Sequence, residues 1–144
     1  MVIAGASERL GARIGTLLFI DAIVPADGES IWTILQDFHP ERFLAASPDG
    51  LVTTPPPGTD PRVRPHPLGT FLQPIKLTGA AYAPRTKIYA WCHAQKGTPF
   101  ERYYNQKSTD NDWSVHVLPS GHDFMTDAPE QARDLILAAA AMNA

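Results

Sequence analysis

The chain has 144 residues, room for one domain and not two, and 15 acidic against 12 basic residues leave it at −3 at pH 7. That balance gives no electrostatic footprint for nucleic acid or an anionic membrane. Hydrophobic residues, at 44%, match an ordinary globular domain, and the single Cys92 excludes an internal disulfide and a cysteine-based zinc site. No apolar run approaches the ~20 residues of a membrane-spanning helix, and the start, MVIAGASERLG, lacks the basic region and long apolar run of a signal peptide. A soluble, cytoplasmic protein is expected. Charged residues, at 19%, fall below the usual ~25%, so much of the surface is expected to be covered.

Residues 2–12 read as a helix, with Val2, Ile3, Ala6 and Leu10 on one face. It has no capping residue before it, and its apolar face starts in the first turn, so further sequence is expected upstream. Residues 14–20 (IGTLLFI) form a short apolar run ended by Asp21 and read as a buried parallel strand. Pro25-Ala26-Asp27-Gly28 is a turn, and residues 29–38 fit a helix with Ile31, Ile34, Leu35 and Phe38 on one stripe. Ten of the 14 prolines lie between Pro40 and Pro84. No strong period runs from His39 to Arg85, where Thr70-Phe71-Leu72 and Ile75-Lys76-Leu77 read as short extended pieces. Irregular stretches of such length in a compact domain are usually lids or insertions. Residues 25–85 are therefore expected to form a cap.

Regular structure resumes at KIYAWC, residues 87–92, a second strand. Thr98-Pro99-Phe100-Glu101 opens a helix with a capping box and a first-turn proline. Trp113, Val115 and Val117 alternate in a third strand over 112–118, and Asp127-Ala128-Pro129-Glu130 reads as a second capping box before a final helix. The alternation of strands and helices argues for an α/β protein of about three parallel strands with flanking helices.

Ligands of open parallel sheets bind beyond the carboxyl ends of the strands. Asp21 follows the first strand, His93 to Gln95 the second and His122 the third. A carboxylate and an imidazole there form the base and orienting half of a hydrolytic triad if they meet. Asp21 as a cap of its turn, or Asp123 or Asp127 against His122, are the competing arrangements. No pair of histidines has HExxH spacing, and no GxGxxG or GxxxxGK[ST] occurs, so neither a metal nor a nucleotide cofactor is indicated. His39, His66 and His116 read as solvated or structural, and Cys92 as a small buried hydrophobe.

Three segments resemble the C-terminal half of an α/β-hydrolase, in the branch that holds plant methyl esterases, hydroxynitrile lyases and related bacterial esterases. GTLLFIDAIVPADGES is similar to that family's sixth strand and cap entry. KIYAWCHAQKGTPFERYY is similar to its seventh strand and following helix. WSVHVLPSGHDFMTDAPEQARDLIL is similar to its eighth strand, catalytic-histidine loop and last helix. The opening MVIAGASERLG resembles the helix after the nucleophile elbow. The resemblance implies that His122, seven residues before Pro129, is the catalytic base. The family's usual acid position after the seventh strand falls on Gln95, whose amide cannot stabilise an imidazolium as a carboxylate does. Asp21 is the replacement the resemblance offers.

The elbow Gly-x-Ser-x-Gly is absent from these residues. Ser7 sits inside a helix rather than on a strained strand-to-helix turn and is not expected to replace its serine. The resemblance thus implies a piece of a serine hydrolase of small carboxylic esters that supplies base and acid but no nucleophile, with no turnover of its own. Trp32, Phe71 and His93 are the expected substrate contacts, and Phe38, Phe43, Leu44 and Leu72 could share the apolar lid. One alternative is an inactive remnant that binds a small apolar ligand or a partner subunit, with a homodimer through the bare edge of the first strand. Another is a hydroxynitrile-lyase-like enzyme, for which Lys96 is the lysine nearest a strand end.

Overall fold

The computed structural model describes residues 1–83, 86–94 and 96–142. Gln95 and the end of the expected cap at Pro84 and Arg85 lie outside the described residues. Two compact units are present, Met1–Val24 with Leu77–Ala144, and Pro25–Lys76.

The first unit begins with helix α1, Val2–Leu10, continued by a 3-10 turn at Gly11–Arg13. No side chain caps α1, and Val2 stands 84% exposed. Its buried side, Ala4 and Ser7, packs toward the 3-10 turn Ala80–Tyr82. Glu8 fastens this contact by accepting from the backbone N–H of Thr78 and of Ala81, both at 2.9 Å, and from the Thr78 hydroxyl. That is why residues 77–83 group with the sheet and not with the Pro-rich stretch.

Strand β1, Thr16–Ile20, follows, its β-branched and aromatic residues suiting a pleated, half-buried surface. The second unit then holds α2 (Ile31–Ile34), a 3-10 turn at Gln36–Phe38, α3 (Glu41–Ala45), an antiparallel pair of two-residue strands β2 (Val52–Thr53) and β3 (His66–Pro67), and α4 (Gly69–Leu72). Ser30 caps α2 in a reciprocal box with Thr33. The helix expected over 29–38 is divided: α2 ends at Ile34, Leu35 leaves the helical region with ψ at 16°, and the 3-10 turn stops at His39, which has positive φ. Helix α2 packs on α4, and Phe43 stacks on Phe71 with ring centroids 4.5 Å apart. Thr70-Phe71-Leu72 is therefore helical and not extended: the strand-forming side chains are overridden by a single turn whose Phe71 reaches its neighbours. Ile75-Lys76-Leu77 forms no strand either, although Ile75 exchanges backbone hydrogen bonds with Gly28 and Glu29.

Strand β4, Thr86–Cys92, is the centre of the three-stranded sheet, in the order β1-β4-β5, with β5 at Ser114–Leu118. Both pairings are parallel, with Ile20 opposite Ala90 and Cys92 opposite Leu118. The alternation of β4 divides its side chains between two layers. Tyr89 and Trp91 meet Tyr103 and Tyr104 of α5, Pro99–Ser108. Ala90 and Cys92 cluster with Leu118, and Ile20, Phe124 and Leu135 pack against them. A parallel strand covered on both faces reads as a continuous apolar run, which β4 is from Ile88 to Cys92.

Helix α5 starts with Pro99 in the first turn and the Thr98 hydroxyl accepting from the Glu101 N–H, but the expected capping box is only half made, because Glu101 does not return to Thr98. Glu101 itself reaches the Gly97 N–H at 2.6 Å. After β5 come a short helix α6, Phe124–Asp127, and the final helix α7, Pro129–Ala141. Here the expected capping box is absent. Ala128 is the cap residue of α7, and Asp127 turns back to accept from the Gly121 N–H at 2.9 Å, a donor that would otherwise lack a partner at the bend. No helix among the described residues is long and apolar enough to cross a membrane.

Candidate active site

The parallel register brings the ends of all three strands to one edge of the first unit. Asp21 is the first residue past β1. It is one of two non-glycine residues with positive φ among the described residues, at 44°. Asp tolerates the left-handed region better than most side chains, and strain of this kind is worth roughly 1–3 kcal/mol and persists where surrounding contacts hold it. Those contacts are present. Its N–H donates to the Ala90 carbonyl at 2.7 Å, and one carboxylate oxygen, Oδ1, accepts from the Cys92 N–H at 3.1 Å. The side chain is 4% exposed.

The other oxygen, Oδ2, accepts from Nδ1 of His122 at 2.8 Å. His122 lies 101 residues away in sequence, in the loop after β5. That loop is held by the continuing strand ends: the Ala94 N–H donates to the Ser120 carbonyl at 3.1 Å, and Asp127 grips Gly121. The Phe100 ring from α5 stacks on the imidazole, centroids 4.8 Å apart and planes within 4° of parallel. The imidazole remains 62% exposed. Its pKa is raised from the ordinary 6.5, first by the hydrogen bond to Asp21, then by the charges of Asp21 and Asp123, with partial burial opposing. A carboxylate at Nδ1 selects the tautomer that leaves Nε2 able to accept a proton.

The structure thus joins His122 to Asp21. Neither Asp123 nor Asp127 is hydrogen-bonded to that ring: Asp123 accepts from the Thr126 hydroxyl and Asp127 from Gly121. His93 lies exposed past β4, its ring edge-on to Trp91 at 6.3 Å. Lys96 is exposed nearby. Trp32, on α2, and Phe71, on α4, are half-buried side chains of the other unit. Ser7 is fully buried in α1, and its hydroxyl has no hydrogen-bond partner among the described residues. His116 is exposed on β5, and Cys92 is buried with its thiol pKa pushed up by burial. Phe100 and Tyr89, the side chains behind the pair, carry no sequence signal: each reads as an ordinary apolar position.

No protein-family model matches the chain. It is 27% identical over 160 aligned positions to a carbendazim hydrolyzing esterase of Nocardioides sp. strain SG-4G, covering 96% of this chain and 66% of that protein. Among solved structures it resembles an extracellular alpha/beta-hydrolase from a Paenibacillus species, itself described as sharing homology with tobacco salicylic acid binding protein 2. The TM-score is 0.71 at 20% identity, over 96% of this chain and 66% of that one. A pyrethroid hydrolase from Sphingobium faniae JZ-2 superposes with a TM-score of 0.65 at 16% identity, over 94% and 64%. At such identities the structural likeness is one of fold. The chain spans about 65% of the length of the proteins it matches.

Proposed function

We propose that this chain, which carries the C-terminal part of an α/β-hydrolase fold, supplies the general base and the orienting acid of a serine-type hydrolase acting on small carboxylic esters. The observation that carries the reading is the 2.8 Å contact between Nδ1 of His122 and the buried carboxylate of Asp21 at the carboxyl edge of a parallel sheet. The esterase relative supports the reaction class.

In this reading Nε2 of His122 takes the proton of an attacking serine hydroxyl and passes it to the leaving alcohol, and water then releases the acyl group by the same route in reverse. Asp21 takes no proton in either step. It holds the tautomer and stabilises the imidazolium, two hydrogen bonds fixing its own carboxylate. The serine comes from outside these 144 residues, since they contain no Gly-x-Ser-x-Gly and Ser7 is buried in a helix interior. Substrate contact by Trp32, Phe71 and His93 belongs to the same proposal.

The test compares p-nitrophenyl acetate hydrolysis by the 144-residue chain with that by the product of the same reading frame extended upstream. The chain alone should show no turnover. An extended product carrying the elbow should hydrolyse the ester and lose about 10³-fold or more in kcat on His122→Ala. Esterase activity that survives His122→Ala but is lost on Ser7→Ala would overturn the assignment.

A further inference from the structure

We infer that Tyr89 is a positioning residue for the His122–Asp21 pair, acting through the two backbone segments that flank it. The inference rests on the proposed function only for its biological meaning; its physical content stands on contacts within the first unit.

Tyr89 lies in the middle of β4 and is fully buried. Its hydroxyl is within hydrogen-bond distance of two carbonyls, Ala22 at 3.0 Å and Phe100 at 3.1 Å. Ala22 directly follows Asp21, the residue held at positive φ. Phe100 is the residue whose ring backs the His122 imidazole. One hydroxyl therefore sits between the turn that carries the acid and the helix start that carries the base's stacking partner. It has one proton for two acceptors, so the donor is shared or alternates, and either arrangement holds the two carbonyls at a common distance from one point. Burial raises the phenol's pKa far above its usual value, so the group stays a neutral donor at every working pH.

An apolar ring would fill the same space, and a fully buried position gains nothing from a hydroxyl unless it finds partners. Here both partners belong to segments that touch the pair. Without the hydroxyl the two carbonyls lose the donor they share, the Ala22 turn and the start of α5 are no longer tied to one point, and the imidazole loses its fixed seat between Phe100 and Asp21. The groups that act on the His122 proton are Asp21 from the end of β1 and Asp123 from its own loop, while Phe100 presents an uncharged face.

The experiment is an NMR titration of the His122 ring in the full 144-residue chain, in Tyr89→Phe, Phe100→Leu and Asp21→Asn, with amide dispersion confirming the fold of each. In the unaltered chain the His122 pKa lies above 6.5, and Asp21→Asn brings it down to the ordinary value. Tyr89→Phe should lower it by a few tenths of a unit with the other histidines unmoved. Phe100→Leu keeps the backbone acceptor and removes the ring; loosening of the Asp21 hydrogen bond, the largest cause of the raised value, outweighs the relieved burial, so the pKa should also fall. The double variant should fall short of the sum, because both changes act through one contact. An unchanged His122 in folded Tyr89→Phe overturns the inference. If Tyr89→Phe does not fold, an unchanged His122 in Phe100→Leu overturns it by removing the route. An unchanged His122 in Asp21→Asn would instead sink the pair itself, a different failure.

Discussion

The two ends of the His122–Asp21 contact sit in unlike surroundings: the carboxylate is 4% exposed and the imidazole 62%. The buried partner is fixed and the exposed one is steered by it. Because the folded-state pKa of His122 is raised, its protonation favours the folded state. The associated stability is fully present below the unfolded-state value, about 6.5, and is lost as pH rises through the raised folded value. Urea midpoints of the chain and of Asp21→Asn should therefore differ more at pH 5.5 than at pH 8.5. A gap that widens with pH would contradict the assignment. Ser7 offers an opposite kind of test. Its buried hydroxyl has no partner among the described residues, so Ser7→Ala removes an uncompensated polar group. That variant should be neutral or more stable by about 1 kcal/mol in urea unfolding. A loss above that size would mean the hydroxyl is engaged.

Elements with a strong local signal were legible from residue order alone. Strands β1 and β4 are apolar runs, α5 and α7 open on Pro99 and Pro129, and β5 carries an alternating pattern. Legibility fails where elements are short. Helices of four or five residues and strands of two, as in α3, α4, β2 and β3, show no period, and their conformation is decided by neighbours such as Phe43 against Phe71, whereas the stripe over 29–38 marked α2 and overstated its length. The site divides the same way. Strand ends mark Asp21 and His122 as candidates because a polar residue there interrupts an apolar pattern. Tyr89 is invisible because an aromatic in an apolar strand reads as core, and Phe100 because a lone aromatic in a helix's first turn reads as ordinary packing. Asp127 was misread for a related reason. An acidic residue before a proline-led helix has the composition of a cap, but its carboxylate closes the Gly121 bend instead. Asp127→Ala should therefore loosen the His122 loop and leave α7 intact. The expected loss is about 1 kcal/mol, with faster amide exchange at Gly121 and unchanged protection through 132–139. Fraying of the start of α7 without change at Gly121 would restore the capping role. Gly121 is itself constrained, since a Cβ there would meet the Asp127 carboxylate at 3.0 Å.

In the first unit, β1 pairs only with β4 among the described residues and so forms an edge of the sheet. A groove of about 430 Å³ runs beside it, lined by side chains that include Ile3, Leu18, Ile20, Ile23, Phe124 and Ile136. An open edge flanked by apolar surface is a template for strand pairing. The 144-residue chain in isolation should accordingly self-associate with rising concentration in light scattering, and Leu18→Lys, which puts a charge into the groove, should shift it toward monomer. A chain that stays monomeric at every concentration would show the edge to be protected.

Which ring nitrogen of His122 carries the proton decides whether Asp21 orients it, and ¹⁵N chemical shifts of the labelled imidazole read that directly. They should show the Nδ1–H tautomer at high pH, with a low-field proton bound to Nδ1, and Asp21→Asn should abolish that signal and move the proton to Nε2, since an amide can donate to Nδ1 where a carboxylate cannot. An Nε2–H tautomer in the unaltered chain, or an Nδ1 proton untouched by Asp21→Asn, would contradict that orienting role.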